Sequence, residues 1–298
     1  MSKTVAWIKA FRLRTLPLSL SGILVGSSIA SSQGYWDTSI FVLSMLTTLF
    51  FQILSNLAND LGDSLKGADN EQRVGPMRGV QSGIISVFEM KVAVVVFVIL
   101  SLSSAIPLVF IGVEGLPTSI LYLYLGLAGA AIIAAITYTM GKKAYGYSGL
   151  GDLFVFIFFG GVSVLGVYTL YAKHFDPSAV LMAITVGMLS VAVLNLNNMR
   201  DQINDAAVGK RTLVVKIGFK AAKVYHTALI LISFFTLLMF GLTTSYAFLL
   251  SALPFTLLFI HLRKVWSTSV PKELDPELKK VALSTFFIAM LFLISTFL

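Results

Sequence analysis

The chain has 298 residues, of which 57% are hydrophobic and only 12% charged, with 22 Lys+Arg against 14 Asp+Glu and a formal net charge of +8. Its mean hydropathy of +0.88 excludes an ordinary soluble domain, because too little polar surface exists to cover the apolar mass. The sequence reads as an all-α, polytopic membrane helical bundle, and the absence of cysteine rules out disulfides and thiol chemistry.

A spanning helix needs about 20 apolar residues. Nine stretches approach that ruler, near 17–33, 39–58, 88–112, 119–140, 151–172, 178–197, 221–242, 246–262 and 281–298. Ahead of them, residues 1–16 contain an interfacial helix over 4–14 with Trp7 as an anchor, and Pro17 opens the first span. The run from Lys3 to Ser28-Ile29-Ala30 has the outline of a signal peptide, but eight more spans follow and the charge arrangement works only with this helix retained. With the N-terminus in the cytoplasm, 21 of the 22 Lys+Arg collect on one side and only Lys173 falls on the other. The positive-inside rule then predicts a cytoplasmic N-terminus and an external C-terminus. The excess of basic residues suits anionic lipid and an anionic substrate rather than nucleic acid.

The second span ends in Asn56-Leu57-Ala58-Asn59-Asp60-Leu61-Gly62-Asp63. If the helix continues through it, Asn56, Asp60 and Asp63 fall at i, i+4 and i+7, on one face. The loop at 64–87 follows, rich in glycine and carrying Lys66, Arg73 and Arg78; its length and composition suggest a lid. The fourth span ends in Tyr138-Thr139-Met140-Gly141-Lys142-Lys143, and Tyr145 to Asp152 follow. These tyrosines and lysines are either an interface anchor or part of a site on the same membrane face.

The sixth span ends in Asn195-Leu196-Asn197-Asn198-Met199-Arg200-Asp201-Gln202-Ile203-Asn204-Asp205, where Asn197, Asp201 and Asp205 fall at i, i+4 and i+8. Lys210 and Arg211 come next. Each acidic cluster thus ends the second helix of a comparable unit, a faint internal repeat. Pro107 and Pro254 mark kinks. His174, His226 and His261 stand at no ligand spacing and read as packing or interface residues.

Carboxylates beside an apolar run are costly unless they are paired or face a wet cavity, so two such clusters read as functional. Hard oxygen ligands suit Mg²⁺, which binds through one or two carboxylates, keeps waters and is completed by substrate phosphates. Cation transport is the alternative reading, but the surrounding Lys and Arg would repel a cation and grip a phosphate. A long apolar tail in the bilayer with a diphosphate head at the interface satisfies both the helices and the clusters, and that is the shape of a polyprenyl diphosphate.

The pattern Asn59-Asp60-x-x-Asp63 paired with Asp201-x-x-x-Asp205 resembles the aspartate motifs of the UbiA superfamily of intramembrane aromatic prenyltransferases. The resemblance covers nearly the whole chain as one transmembrane domain, with active-site segments at 59–87 and 198–220. Within the superfamily, the strings Asn56 to Asp60, Lys66 to Asp69, Arg73 to Pro76, Gly149 to Asp152, Asn198 to Asp201 and Gly209 to Thr212 look most like the MenA-type 1,4-dihydroxy-2-naphthoate polyprenyltransferases. One departure stands out: where the superfamily has a third aspartate four positions after the second, this chain has Gly67, and the next acid is Asp69.

The resemblance implies that Asp60, Asp63, Asp201 and Asp205 hold Mg²⁺ against the diphosphate, with Asn56, Asn59 and Asn198 supplementing them. Lys66, Arg78, Lys142, Lys210 and Arg211 would stabilise the departing diphosphate. The implied reaction joins a polyprenyl diphosphate to 1,4-dihydroxy-2-naphthoate with loss of CO₂, giving demethylmenaquinol for menaquinone synthesis, in a bacterial plasma membrane. Other acceptors of the superfamily, such as 4-hydroxybenzoate, homogentisate or a haem, differ only in pocket contacts.

Overall fold

A computed structural model describes residues 2–67, 78–141 and 144–298. The described residues contain helices and no strand. Among them, nine helical stretches are long and apolar enough to cross a bilayer, so the chain is a multi-pass membrane protein.

An amphipathic helix α1 (Lys3–Phe11) leads into α2 (Leu16–Ser32), α3 (Thr38–Leu65), α4 (Val87–Gly112) and α5 (Thr118–Thr137). The fifth span begins as α6 (Gly151–Val155), becomes π-helical over Phe156–Gly166 and ends as α7 (Val167–Ala172). Then come α8 (Pro177–Ala207), the short α9 (Leu213–Ile217), α10 (Phe219–Thr243), α11 (Phe255–Ser267) and α12 (Asp275–Ser295).

Local signals set the helix starts. Asp37 caps α3 by accepting from the Ser39 and Ile40 N–H groups at 2.7 and 3.1 Å. Asp176 does the same for α8 through Ser178 at 2.8 Å, with Pro177 at the first turn. Ser86 and Glu89 form a reciprocal capping box on α4. Pro254 lacks an N–H and divides the eighth span into a 3₁₀ stretch, Tyr246–Ala252, and α11. At Pro107, by contrast, α4 continues unbroken.

Both cluster-bearing helices run past their apolar stretches, α3 to Leu65 and α8 to Ala207, so the acids are carried on continuous helix. Nothing in the apolar run marks the π-helical stretch apart from Gly160, Gly161 and Gly166. Its approach to α8 is very close: a Cβ on Gly160 would meet the Ala183 carbonyl oxygen at 2.4 Å and the Gly187 Cα at 2.9 Å. Small residues at such crossings let backbones meet inside a membrane.

The core has two parts. One joins α2, α8, α10, α11 and α12, with Phe240, Phe255 and Phe292 fully buried. The other packs α1 on α3 and α4 around Leu54, Leu57, Leu61 and Met90. Between them lies the cavity that holds the candidate site.

Candidate active site

The cavity measures about 680 Å³ and is walled by α1 to α5, the fifth span, α8 and α12. At one end it meets Asn56, Asn59, Asp60, Asp63, Arg78 and Lys210; toward the other it is lined by Leu108, Val109, Leu127, Phe158, Val162 and Leu170. One continuous space therefore offers charge at one end and hydrocarbon at the other.

In the first cluster, Asp60 is buried at 1% exposure and paired with Arg12, while Arg78 Nε stands 3.4 Å from the same carboxylate. Arg78 also donates to Asp63 at 2.8 Å, and Tyr147 donates its hydroxyl to the other Asp63 oxygen at 3.0 Å. Asn56 donates to the Phe11 carbonyl at 2.9 Å and so ties α3 to the end of α1. Asn59 accepts from Thr139 at 3.4 Å. Between the acids, Gly62 lets Thr139 lie against α3, since a Cβ there would stand 2.3 Å from its hydroxyl oxygen.

In the second cluster, Arg200 grips both oxygens of Asp201, at 2.9 and 2.6 Å, and reaches Asn197 at 2.8 Å and Asp275 at 2.6 Å. Lys210 stands 3.5 Å from Asp205 Oδ1. Asp205 Oδ2 and Asn198 Oδ1 are buried and have no hydrogen-bond partner among the described residues.

Tyr147 joins the two clusters. Beyond its bond to Asp63, its carbonyl accepts from the Arg211 N–H at 3.0 Å, and the Lys66 and Lys210 ammonium groups lie 4.1 and 5.5 Å from its ring centre. Partial burial lowers the pKa of Lys66, while the charge of Asp63 acts to raise it. Tyr138 senses both clusters as well: burial first, and then the charges of Asp63, Asp152 and Asp205, push its phenol above its ordinary value. Tyr138 meets Tyr145 edge to face at 5.2 Å and Tyr145 stacks on Phe154 at 4.1 Å, forming an aromatic wall on the cavity.

Of the residues singled out in the sequence, Asn56, Asn59, Asp60, Asp63, Arg78 and Lys210 stand on the cavity wall. Asp201, Asp205 and Asn198 are buried on the same helix as the cavity-lining Asn197 and Arg200. The side chains of Lys66 and Arg211 are exposed and not part of that wall. Lys142, Asp69 and the 68–77 part of the expected lid lie outside the described residues. Sequence reading missed Arg12 and Arg200 as partners of the acids; the adjacency of Arg200 to Asp201 was the available signal.

A sequence profile of the UbiA prenyltransferase family matches residues 19–294. The chain belongs to the UbiA prenyltransferase family. It is 41% identical over 303 residues to the 1,4-dihydroxy-2-naphthoate octaprenyltransferase of Escherichia coli, covering 100% of this chain and 97% of that protein. The Haemophilus influenzae protein of the same name is 42% identical, covering 97% and 95%. Among solved structures, the apo UbiA homologue from Aeropyrum pernix superposes with a TM-score of 0.70 at 14% identity, covering 94% of this chain and 97% of that one. The Archaeoglobus fulgidus UbiA homologue bound to GPP and Mg²⁺ gives 0.66 at 16% identity, covering 96% and 98%. These two structures share the fold.

Among the described residues, no three His, Asp or Glu side chains converge as a ready-made metal cage. Mg²⁺ in general binds through few protein carboxylates and completes its shell with water and substrate phosphate, so a pre-formed cage is not required of it. The donor set fits: all four aspartates are hard oxygen ligands, and Asp205 Oδ2 and Asn198 Oδ1 are buried acceptors with no donor among the described residues.

Proposed function

We propose that the chain transfers a polyprenyl group from an allylic polyprenyl diphosphate to 1,4-dihydroxy-2-naphthoate with loss of CO₂, in a Mg²⁺-dependent reaction, giving demethylmenaquinol for menaquinone synthesis. The observation that carries this reading is the single cavity with paired aspartates and cations at one end and an apolar wall at the other. Two relatives named for this reaction, at 41% and 42% identity over nearly full length, support the acceptor.

In this reading Asp60, Asp63, Asp201 and Asp205 hold Mg²⁺, with Asn56, Asn59 and Asn198 as supplementary oxygens. When bound, Mg²⁺ neutralises the diphosphate and eases departure of its oxygen. Arg78 and Lys210, already fixed on the cavity wall by Asp63 and Asp205, supply preorganised positive charge to the same leaving group. Lys66 and Arg211 are the outer cations of this set, and Lys142 is assigned to it from the sequence alone.

The bond from the prenyl C1 to the diphosphate oxygen breaks, and its electron pair leaves with the diphosphate. The allylic cation that remains is sheltered by Tyr138, Tyr145 and Phe154, whose π faces stabilise positive charge and exclude water. The naphthoate ring carbon that bears the carboxylate attacks the cation. The carboxylate leaves as CO₂, and the electrons of its bond restore the aromatic ring.

The distribution of Lys and Arg supports a cytoplasmic N-terminus and site, and the bacterial relatives support a bacterial inner membrane. The test is mass spectrometry of products from purified protein given a polyprenyl diphosphate with dihydroxynaphthoate or 4-hydroxybenzoate, with Mg²⁺ or with chelator. A decarboxylated prenyl-naphthoquinol that vanishes with chelator is expected; product from 4-hydroxybenzoate alone overturns the acceptor.

A further inference from the structure

Three titratable side chains that the reaction does not use form a buried chain across three helices. His226 on α10 and His261 on α11 face each other through their Nε2 atoms at 2.8 Å. His261 Nδ1 meets Glu277 Oε2 of α12 at 2.6 Å, and Glu277 Oε1 accepts from Lys280 at 2.6 Å. His226 is 0% exposed, and His261 and Glu277 are each 2% exposed. With Glu277 accepting from the His261 Nδ1–H, the neutral His261 ring accepts at Nε2, so His226 must donate from its own Nε2.

Buried polar groups in an apolar bundle are costly, and apolar residues of similar volume would pack these helices at least as well. What a polar chain adds is a fixed direction and register. The register concerned is that of the first turn of α12. Asp275, two residues before Glu277, bonds Arg200, and Arg200 holds Asp201 by both oxygens. At roughly 100° per residue, Asp275 and Glu277 project from nearly opposite sides of α12. The turn is therefore clamped between Arg200 of α8 and His261 of α11, and Leu278 and Lys279, which follow Glu277, line the cavity together with Asp275.

We propose that His226, His261 and Glu277 are positioning residues: they fix the first turn of α12 so that Asp275 holds Arg200, and Arg200 holds Asp201, in the geometry that receives a magnesium diphosphate. The chemical consequence rests on the prenyl-transfer reading, but the binding consequence does not.

The test measures Mg²⁺-dependent binding of inorganic diphosphate by calorimetry, alongside KM for the prenyl diphosphate and kcat, in purified full-length protein. His261→Ala is expected to weaken diphosphate binding and raise KM about tenfold with kcat within about twofold. His261→Gln, whose amide can still donate to Glu277, is expected to recover most of the loss. In an Asp275→Asn background, His261→Ala is expected to add nothing, because both act on one turn. Unchanged binding in His261→Ala, or losses that multiply in the double variant, overturns the proposal. So does a His261→Gln variant that regains thermal stability but not affinity. If His261→Ala fails to insert, Glu277→Gln, which keeps the side-chain shape, carries the same comparison. Wild-type protein that binds magnesium diphosphate but forms no prenylated product would sink the reaction and leave the binding arms decisive for this inference.

Discussion

Arg78 donates to Asp63 at 2.8 Å while its Nε lies 3.4 Å from Asp60, so one guanidinium spans both carboxylates of the first cluster. A planar fork does this with N–H groups in fixed directions, whereas a lysine ammonium is a compact point charge on a flexible stem. Arg78→Ala is expected to lower kcat/KM by about 10²–10³-fold, the cost of losing one preorganised donor at a developing charge. Arg78→Lys should recover only a small part, as steady-state kinetics with varied prenyl diphosphate would show.

Asp60 is buried against Arg12, so the two substitutions at this pair should separate activity from stability. Asp60→Ala is expected to abolish turnover and to lower the thermal midpoint, since removing one partner of a buried ion pair costs about 3–5 kcal/mol. Arg12→Ala combined with Asp60→Ala should regain part of the midpoint and none of the activity. Thermal unfolding in detergent and a product assay check the two halves.

The contact of Gly160 with α8 leaves no room for a methyl group, whereas neighbouring Gly161 has nothing within 4 Å of its would-be Cβ. Gly160→Ala is expected to destabilise the protein by about 1–3 kcal/mol and to impair activity, because the displaced helix carries Phe158 and Val162 of the cavity wall. Gly161→Ala should be close to neutral in both assays.

Burial raises the phenols of Tyr138 and Tyr145 above their ordinary value, reinforced at Tyr138 by Asp63, Asp152 and Asp205 and at Tyr145 by Tyr138. A raised folded-state value means that the folded protein holds these protons more tightly than the unfolded chain. Their contribution is complete below about pH 10, the ordinary tyrosine value, and is lost as pH rises above it. The thermal midpoint should therefore fall above about pH 10, and less steeply in a Tyr138→Phe, Tyr145→Phe double variant.

The chain has no cysteine, so single introduced thiols report topology without background. With 21 of 22 Lys+Arg assigned to one face, Lys272→Cys is expected to react with a membrane-impermeant maleimide only in inverted vesicles, and Ser245→Cys only in intact spheroplasts. The reverse pattern would invert the orientation.

The sequence by itself determined the spans, because a bilayer of fixed thickness demands about 20 apolar residues wherever they occur. It also determined that Asp60 and Asp63, and Asp201 and Asp205, sit at helical spacing, since 3.6 residues per turn is a local rule. Tertiary structure decided which cation meets which acid. Arg12 reaches Asp60 across 48 positions and Arg200 reaches Asp275 across 75, and no periodicity records such meetings. The same holds for His226 and His261, 35 residues apart, which stand at no ligand spacing yet face each other at 2.8 Å. The π-helical stretch of the fifth span likewise became visible only in the structure, where Gly160 stands against Gly187 and lets two backbones approach closely. Hydropathy and helical repeat act along the chain and can be read there. Hydrogen bonds and ion pairs between helices act through space, and they become visible only once the helices are placed.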